Sequence, residues 1–395
     1  MAIINSVYYH DEVWYSYLYV AAVKCRWRVS LFTAIPNDKM RLYNNMVNAT
    51  RSWSLSFVQH KEHHAAELLS SSANICLHQI LMISTLFTDY LEHLLNRLVH
   101  DCGNNTAHVV LIQLNTAVED LFKLDLLSNK YPSLFSMPNI KLRLLALAPH
   151  VHDYARWFTK RRFSIDVWYP VFPLDLPLTT ESKSLKFTIQ GKFSGKRRNY
   201  DSLASQIQRK YKVLQQRNIT FLVIGTGNDN LQHPLRQSSA VRWLIQKKPT
   251  PAASYYKLIH RTAGILPLFG SNDYYINKIS SSISCSILTT TPLLSTARIL
   301  NTYRYIPTKA VWLQRENESE VDALLRISSE HSSTMKFQHA LREKRKILKK
   351  LASDMYTKNE RVLRNLEKWL NNAYDNKMTS RTVKINLLST ARNLR

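Results

Sequence analysis

The sequence predicts an α/β protein built from two Rossmann-like domains in series and closed by a long basic amphipathic helix. Three observations predict it. Apolar strand-like runs alternate with helical stretches along both halves of the 395-residue chain. The alternation breaks once, at residues 158–186, where Pro170, Pro173 and Pro177 interrupt any periodicity. From Met335 onward apolar residues recur with a helical period, and the intervening faces are basic. Continuous apolar strands separated by helices indicate βαβ units and a mainly parallel sheet covered on both faces. The length exceeds one ordinary core and suits two domains of about 150–200 residues. The expected division is 1–180 for the first domain with its linker, 181–334 for the second, and 335–395 for the helical tail.

In the first half, strands are expected at 2–9, 27–33, 55–58, 80–87, 108–114 and 142–149, with helices at 11–24, 37–52, 65–77 and 89–99. In the second half, strands at 186–190, 220–224, 264–268 and 310–313 alternate with helices at 200–217, 254–260 and 277–284. The tail places Phe337, Leu341, Leu348, Leu351, Met355 and Val362 on one helical stripe. That stripe either packs on the body and leaves a solvated cationic face, or the helix lies with its basic face on anionic lipid.

The formal charge of +26 makes phosphates, nucleic acid or an anionic membrane face physically attractive partners. The excess is uneven: residues 336–395 carry sixteen Lys/Arg against five Asp/Glu, and 186–217 carry nine against Asp201 alone. No RRM, zinc-finger or helix-turn-helix signature accompanies the charge, so nucleic acid is not an expected partner. The longest apolar runs fall far below the roughly 18–20 residues of a spanning helix, and the amino terminus lacks a signal-peptide layout. The expected location is therefore cytoplasmic or at the cytoplasmic face of a membrane. Cys25, Cys76, Cys102 and Cys285 lie far apart without a CxxC, and read as reduced packing residues. The pair His63-His64, read on a helix, has no third ligand at metal spacing, so no metal site is expected.

Glycine locates the candidate chemistry. Six of the seven glycines fall between Gly191 and Gly270, at places where strands give way to loops. Glycine permits positive φ or close approach to a ligand, and loops at the carboxyl ends of parallel strands bind nucleotides in open α/β sheets. In FTIQGKFSGKRRNYDSL, Gly191 ends a strand and Lys192, Gly195, Lys196, Arg197 and Arg198 precede a helix. Such a loop offers backbone N–H groups and four cations to a diphosphate. The competing reading is a solvated turn with chance charges. In FLVIGTGNDN, Gly225 and Gly227 would let the backbone approach a base or ribose, or simply form a tight turn. In the third stretch, Asp273, Lys278, Ser280 and Ser281 stand at an expected helix start and form a cradle for phosphate or sugar hydroxyls; the alternative is a Ser-rich helix packed on the sheet. On the other side of the expected cleft, His10 and Asp11 follow the first strand and His150 follows the strand at 142–149. A general base for an acceptor hydroxyl belongs there.

The order strand-Gly-basic loop, then LVIGTG, then ILPLFGSNDYYINKISSSISCSILTTTPLL resembles the nucleotide-sugar domain of GT-B glycosyltransferases, in particular a set of fungal glycosyltransferase-like proteins. HDEVW and ALAPHV are similar to that set's first domain. The resemblance spans roughly residues 1–325. It implies a GT-B architecture with the acceptor domain first, the donor held by the second domain, and a closing helix that returns toward the first. It further implies that Gly191, Lys192 and Lys196-Arg197-Arg198 form the diphosphate loop and that Gly225 and Gly227 lie near the nucleoside. Many retaining members keep paired glutamates where this chain runs from Asp273 to Ser282, yet no Glu occurs between Glu181 and Glu316. The expected function is metal-independent hexosyl transfer from a nucleotide-diphosphate sugar to an unknown acceptor, with no cofactor. The alternative is a non-catalytic protein of the same shape that attaches to anionic membrane or nucleic acid through its basic tail.

Overall fold

The runs Ile80–Ile83 (β4) and His108–Leu114 (β5) are buried along their whole length, as strands covered on both faces must be. The structure, a computed structural model, describes residues 1–5, 11–33, 58–64, 76–83, 88–102, 106–114, 117–130, 132–137, 139–174, 176–177, 185–191, 193–195, 197–225, 235, 238–245, 252–331 and 333–392. β4 and β5 sit inside a seven-stranded sheet with β1 (Ala2–Asn5), β2 (Val29–Thr33), β3 (Val58–His64), β6 (Ile140–Ala146) and β7 (Ser164–Val167). Its order is β3-β2-β1-β4-β5-β6-β7, and every neighbouring pair is parallel. Helices α2 (Thr88–Cys102), α3 (Ala117–Lys130) and α5 (Pro149–Phe158) cover one face through Leu91, Leu94, Leu121, Leu124, Val151 and Ala155. The other face is covered by α1 (Asp11–Leu18), which continues as a π-helical turn over Tyr19–Lys24. A single turn, α4 (Pro132–Phe135), follows α3.

The second sheet joins β8 (Leu185–Gln190), β9 (Ile219–Gly225), β10 (Val241–Ile245) and β11 (Gly264–Ile265) in the order β10-β9-β8-β11, again all parallel. A bridge between Ile265 and Leu293 extends it toward the parallel pair β12 (Leu294–Ser295) and β13 (Trp312–Leu313). Its helices are α6 (Tyr200–Gln216), α7 (Ala252–His260), α8 (Asp273–Ile276), α9 (Ser281–Leu288), α10 (Ala297–Thr302) and α11 (Glu320–Glu330). The fold is therefore α/β with two Rossmann-like parallel sheets, as the alternation of apolar runs predicts.

The final helix is α12 (Thr334–Arg392), and its apolar stripe packs on the body. Phe337 and Leu341 enter the core of the second sheet, whereas Leu348, Met355, Leu363 and Leu366 enter a core that also holds α1, β4 and β5. The apolar stripe is thus used on protein, and Lys346, Lys349, Lys350, Lys358 and Arg361 are left in solvent. Polar anchors fix the strap. Fully buried Asn359 accepts from the Tyr169 amide at 3.0 Å and donates to the Tyr169 carbonyl at 2.8 Å. Trp27 Nε1 donates to Glu367 at 3.1 Å, and Arg345, 1% exposed, donates to the His260 carbonyl at 2.5 Å.

Several expectations need correction. Residues 158–186 do not form a single linker: β7 occupies Ser164–Val167, and Trp168 and Phe172 after it are fully buried. His63-His64 end a strand, because VQHKEHH pairs with β2; partner strands override its helical appearance. The helices expected at 37–52 and across 65–75 lie outside the described residues. The helix expected at 277–284 begins at Ser281 instead, and α3, α5 and β10 are elements the sequence pattern did not mark.

The cysteines also depart from expectation. Cys25 and Cys285 are buried thiols outside any disulfide of the described residues, but Cys76 and Cys102 form a disulfide with 5.1 Å between Cα atoms. The βα unit explains this. Cys76 stands just before β4 and Cys102 ends α2, and the helix runs back along the strand so that its carboxyl end returns to the strand's beginning. The pairing is topological and invisible in sequence spacing. Closing a separation of 26 residues corresponds to about 3.5 kcal/mol in the chain-entropy account. Cys102→Ser should therefore lower the thermal midpoint by several degrees, and dithiothreitol should lower that of the unaltered chain only. Equal midpoints with and without reductant would show that the bridge is absent. Disulfides persist in oxidising compartments, which stands against the reducing environment expected from cysteine spacing.

Candidate functional site

In the second sheet the strand order reverses between β8 and β11, and the crevice outside their carboxyl ends is where ligands bind in open α/β folds. The loops leaving these two strands are tied to each other. Phe269 and Arg198 form an antiparallel bridge, the Asn199 amide donates to the Leu268 carbonyl at 3.0 Å, and the Gly270 amide donates to the Arg197 carbonyl at 3.1 Å. Gly191 takes φ +119°, a conformation open to glycine, and its amide donates to the Ile224 carbonyl at 3.0 Å. Gly225 stands opposite: a Cβ there would lie 1.7 Å from the Gly191 carbonyl oxygen. Gly225 thus serves strand approach. Gly195 is exposed, with nothing within 4 Å of an added Cβ.

Arg198 does not project into the crevice to hold a ligand. It is 4% exposed, and Nη1 donates to the Pro267 carbonyl at 2.6 Å while Nη2 donates to the Gln190 carbonyl at 2.8 Å and Ser282 Oγ at 2.9 Å. Its charge is spent on strand-end carbonyls, and burial holds its pKa below the usual arginine range. Arg197, its neighbour, is exposed.

The amino terminus of α9 meets this network. Ser280 is buried and caps the helix, its Oγ accepting from the Ser282 amide at 3.3 Å. Ser281 is exposed at the mouth. Gln190 Nε2 donates to Ser281 Oγ and to Ser282 Oγ, both at 3.2 Å, and Tyr255 donates to Gln190 Oε1 at 2.5 Å. Since the Ser281 hydroxyl accepts from Gln190, its own proton is left to donate to a ligand oxygen. Gln190 and Tyr255 were not singled out from sequence. Gln190 ends a strand-like run at a position adjoining Gly191, which is the signal that marks it; Tyr255 is far away in sequence and carries none.

Across the cleft, Pro149 starts α5 and turns His150 toward the second domain. His150 Nε2 lies 3.2 Å from the Lys278 carbonyl, and its ring packs edge-on against Tyr303 at 4.8 Å. With Nε2–H donating to that carbonyl, Nδ1 is the lone-pair nitrogen, and it is buried with no hydrogen-bond partner among the described residues. Arg304 pairs with Asp153 at 3.3 Å on the same rim. Lys278 is half-buried; burial first and Arg197 second lower its pKa, while Asp273, Glu119 and Asp120 oppose them. Two cations of the second domain and one neutral imidazole of the first therefore converge here. Beside them, at the carboxyl ends of β11 and β12, a cavity of about 100 Å³ is lined by Asn199, Phe269, Tyr275, Thr296, Gln314 and Glu320.

Of the remaining candidates, Asp11 is the first residue of α1, and Asp273 is exposed at the start of α8. His10, Lys192, Lys196 and Gly227 lie outside the described residues. Among the described residues no cluster of three or more His, Cys, Asp or Glu has the arrangement of a metal site, and no helix is long and apolar enough to cross a membrane.

Burial lowers the pKa of His150, and burial followed by Arg345 lowers that of His260. The neutral form of each is therefore favoured in the folded chain relative to the ordinary value of 6.5. Between the folded and unfolded pKa values the unfolded chain binds more protons, so stability rises with pH across that window. The thermal midpoint should accordingly fall as pH drops from about 7 to 5, and His150→Gln should flatten part of the slope. A slope unchanged by the substitution would show that His150 is not held neutral.

No protein-family model matches the chain, and no curated protein matches it in sequence. Among solved structures it is similar to Anabaena HepE in complex with UDP-glucose, at 11% identity and a TM-score of 0.59, over 93% of this chain and 99% of that one. It is also similar to the alpha,alpha-trehalose-phosphate synthase (UDP-forming) from Burkholderia xenovorans in complex with glucose-6-phosphate, at 8% identity and a TM-score of 0.55, again over 93% and 99%. These likenesses show the fold: the two parallel-sheet domains have the GT-B arrangement.

Proposed function

We propose that the chain transfers a sugar from a nucleoside-diphosphate sugar to an acceptor hydroxyl, without a metal. The observation that carries the reading is the meeting of the two domains at His150 and Lys278, directly before the capped amino terminus of α9. The diphosphate fits the mouth formed by Ser281, Lys278 and Arg197, where the helix end and two cations favour the charge that develops as the sugar leaves. The nucleoside end would lie at the mouth of the cavity between Asn199 and Glu320, whose volume of about 100 Å³ admits only part of it. Glu320 is the carboxylate available there, held by Gln206 at 2.6 Å. His150 is the first-domain base at this mouth, and its Nδ1 would receive the acceptor's proton only once the cleft opens to expose that buried atom. The likeness to HepE, which is solved with UDP-glucose, supports the donor class.

Titration of the chain with UDP, GDP and other nucleoside diphosphates, followed by thermal unfolding, tests this. A nucleotide at a hundred times its dissociation constant adds about 2.7 kcal/mol to stability. The shift should vanish in Arg197→Ala/Lys278→Ala, and His150→Ala should keep it while losing donor turnover. No shift with any nucleotide would overturn the reading.

A further inference from the structure

The outer surface of the first domain carries a patch that the cleft does not use. On α3, Val118, Phe122 and Leu126 repeat every four residues along a solvent-facing stripe, 38%, 58% and 52% exposed. Leu121, Leu124 and Leu127 of the same helix are buried against the sheet. On α5, which covers the same sheet face, Trp157 is 73% exposed while Val151 and Ala155 point inward. Arg162 pairs with Asp125, tying the turn after α5 to α3. The α3 stripe and Trp157 of α5 therefore both lie on the exposed side of one helical layer.

Charge decides what this layer meets. Lys123, Lys130 and Arg162 are each matched by Glu119, Glu92 and Asp125. Arg156, Lys160 and Arg161 are exposed beside Trp157 and have no acidic partner among the described residues. Lys160 and Arg161 take positive φ of 47° and 64°, so the turn projects two adjacent cations beyond the helix end. A purely apolar partner would leave these cations unmatched, and a purely ionic one would leave Trp157, Phe122 and Leu126 in water. Exposed aromatic and aliphatic side chains beside Lys and Arg are the composition of helices that lie in a membrane interface.

We propose that the α3–α5 layer seats the protein on an anionic lipid bilayer, with Trp157, Phe122 and Leu126 in the headgroup boundary and Arg156, Lys160 and Arg161 on lipid anions. The membrane face thereby differs from the basic tail of the alternative sequence reading, since α12 has spent its apolar stripe on the protein core. Helix α5 begins at the cleft with His150 and reaches this patch with Trp157, so the rise of seven residues between them separates the two by about 10 Å along its axis. The proposal stands whether or not a sugar is transferred.

Flotation of the full chain with phosphatidylcholine vesicles, with and without about three-tenths phosphatidylserine, tests it. Binding is expected only with the anionic lipid. It should fall about fivefold for each of Arg156, Lys160 and Arg161 changed to Gln, and at least about tenfold in Phe122→Ser/Leu126→Ser/Trp157→Ala with an unchanged thermal midpoint. Quenching of tryptophan emission by brominated lipid should be lost in Trp157→Phe. Three results would overturn the proposal: no binding to anionic vesicles, binding that survives the triple apolar variant, or binding abolished only by neutralising Lys346, Lys349, Lys350 and Lys358. A fourth result, self-association that Phe122→Ser removes, would also overturn it, marking a second copy as the occupant.

Discussion

Arg198→Ala should lose about 4 kcal/mol of folding stability, because it strips a buried donor from three acceptors at once. The Pro267 carbonyl, the Gln190 carbonyl and Ser282 Oγ all receive from its guanidinium at 2.6 to 2.9 Å. Each sits on a different element: the loop after β11, the end of β8, and the first turn of α9. The side chain therefore joins the three pieces that make the mouth of the site. Water cannot replace it without entering a place that is 4% accessible. Arg198→Lys keeps the charge but not the planar fork, so it should recover only part of the loss. Urea unfolding of the three proteins gives the order directly. If instead Arg198→Ala unfolds at the same midpoint and loses only nucleotide binding, the guanidinium is a ligand group and the buried geometry is wrong.

This residue also shows how far the sequence carries. A basic run after a strand-ending glycine pointed to this loop, and the loop lies at the switch point between β8 and β11. Which cation turns inward could not be read, since Arg197 and Arg198 are adjacent and chemically identical; the choice is made by the strand ends across the loop. The alternation of apolar runs was legible because a parallel strand covered on both faces must be apolar throughout, as β4 and β5 are. The helix α9 was misplaced by four residues at its start. Its boundary is set by the Ser280 cap, and three consecutive serines offer three equally good caps in sequence. The Cys76–Cys102 bridge and the contact of His150 with Lys278 were illegible for another reason: they join residues brought together by packing, and no local pattern records them.

The glycines cluster after strands in sequence, and the geometry separates their roles. Gly225→Ala should cost at least about 3 kcal/mol, the upper end of overpacking, because the obstacle is backbone and has no rotamer to move to. Its Cβ would lie 1.7 Å from the Gly191 oxygen, 2.7 Å from the Gly191 carbon and 3.2 Å from the Gly191 nitrogen. Relief requires parting β8 from β9, which breaks the Gly191 amide bond to the Ile224 carbonyl. It also shifts Gln190, whose amide holds Ser281 and Ser282. The substitution should thus damage the mouth of the site as well as stability, without touching any group that meets the ligand. Gly195→Ala is the control. The same loop is open there, no positive φ is required, and reduced freedom of the unfolded chain should leave stability unchanged or raised by about 0.5 kcal/mol. Equal midpoints for the two alanine variants would mean that β8 and β9 do not approach each other at their glycines.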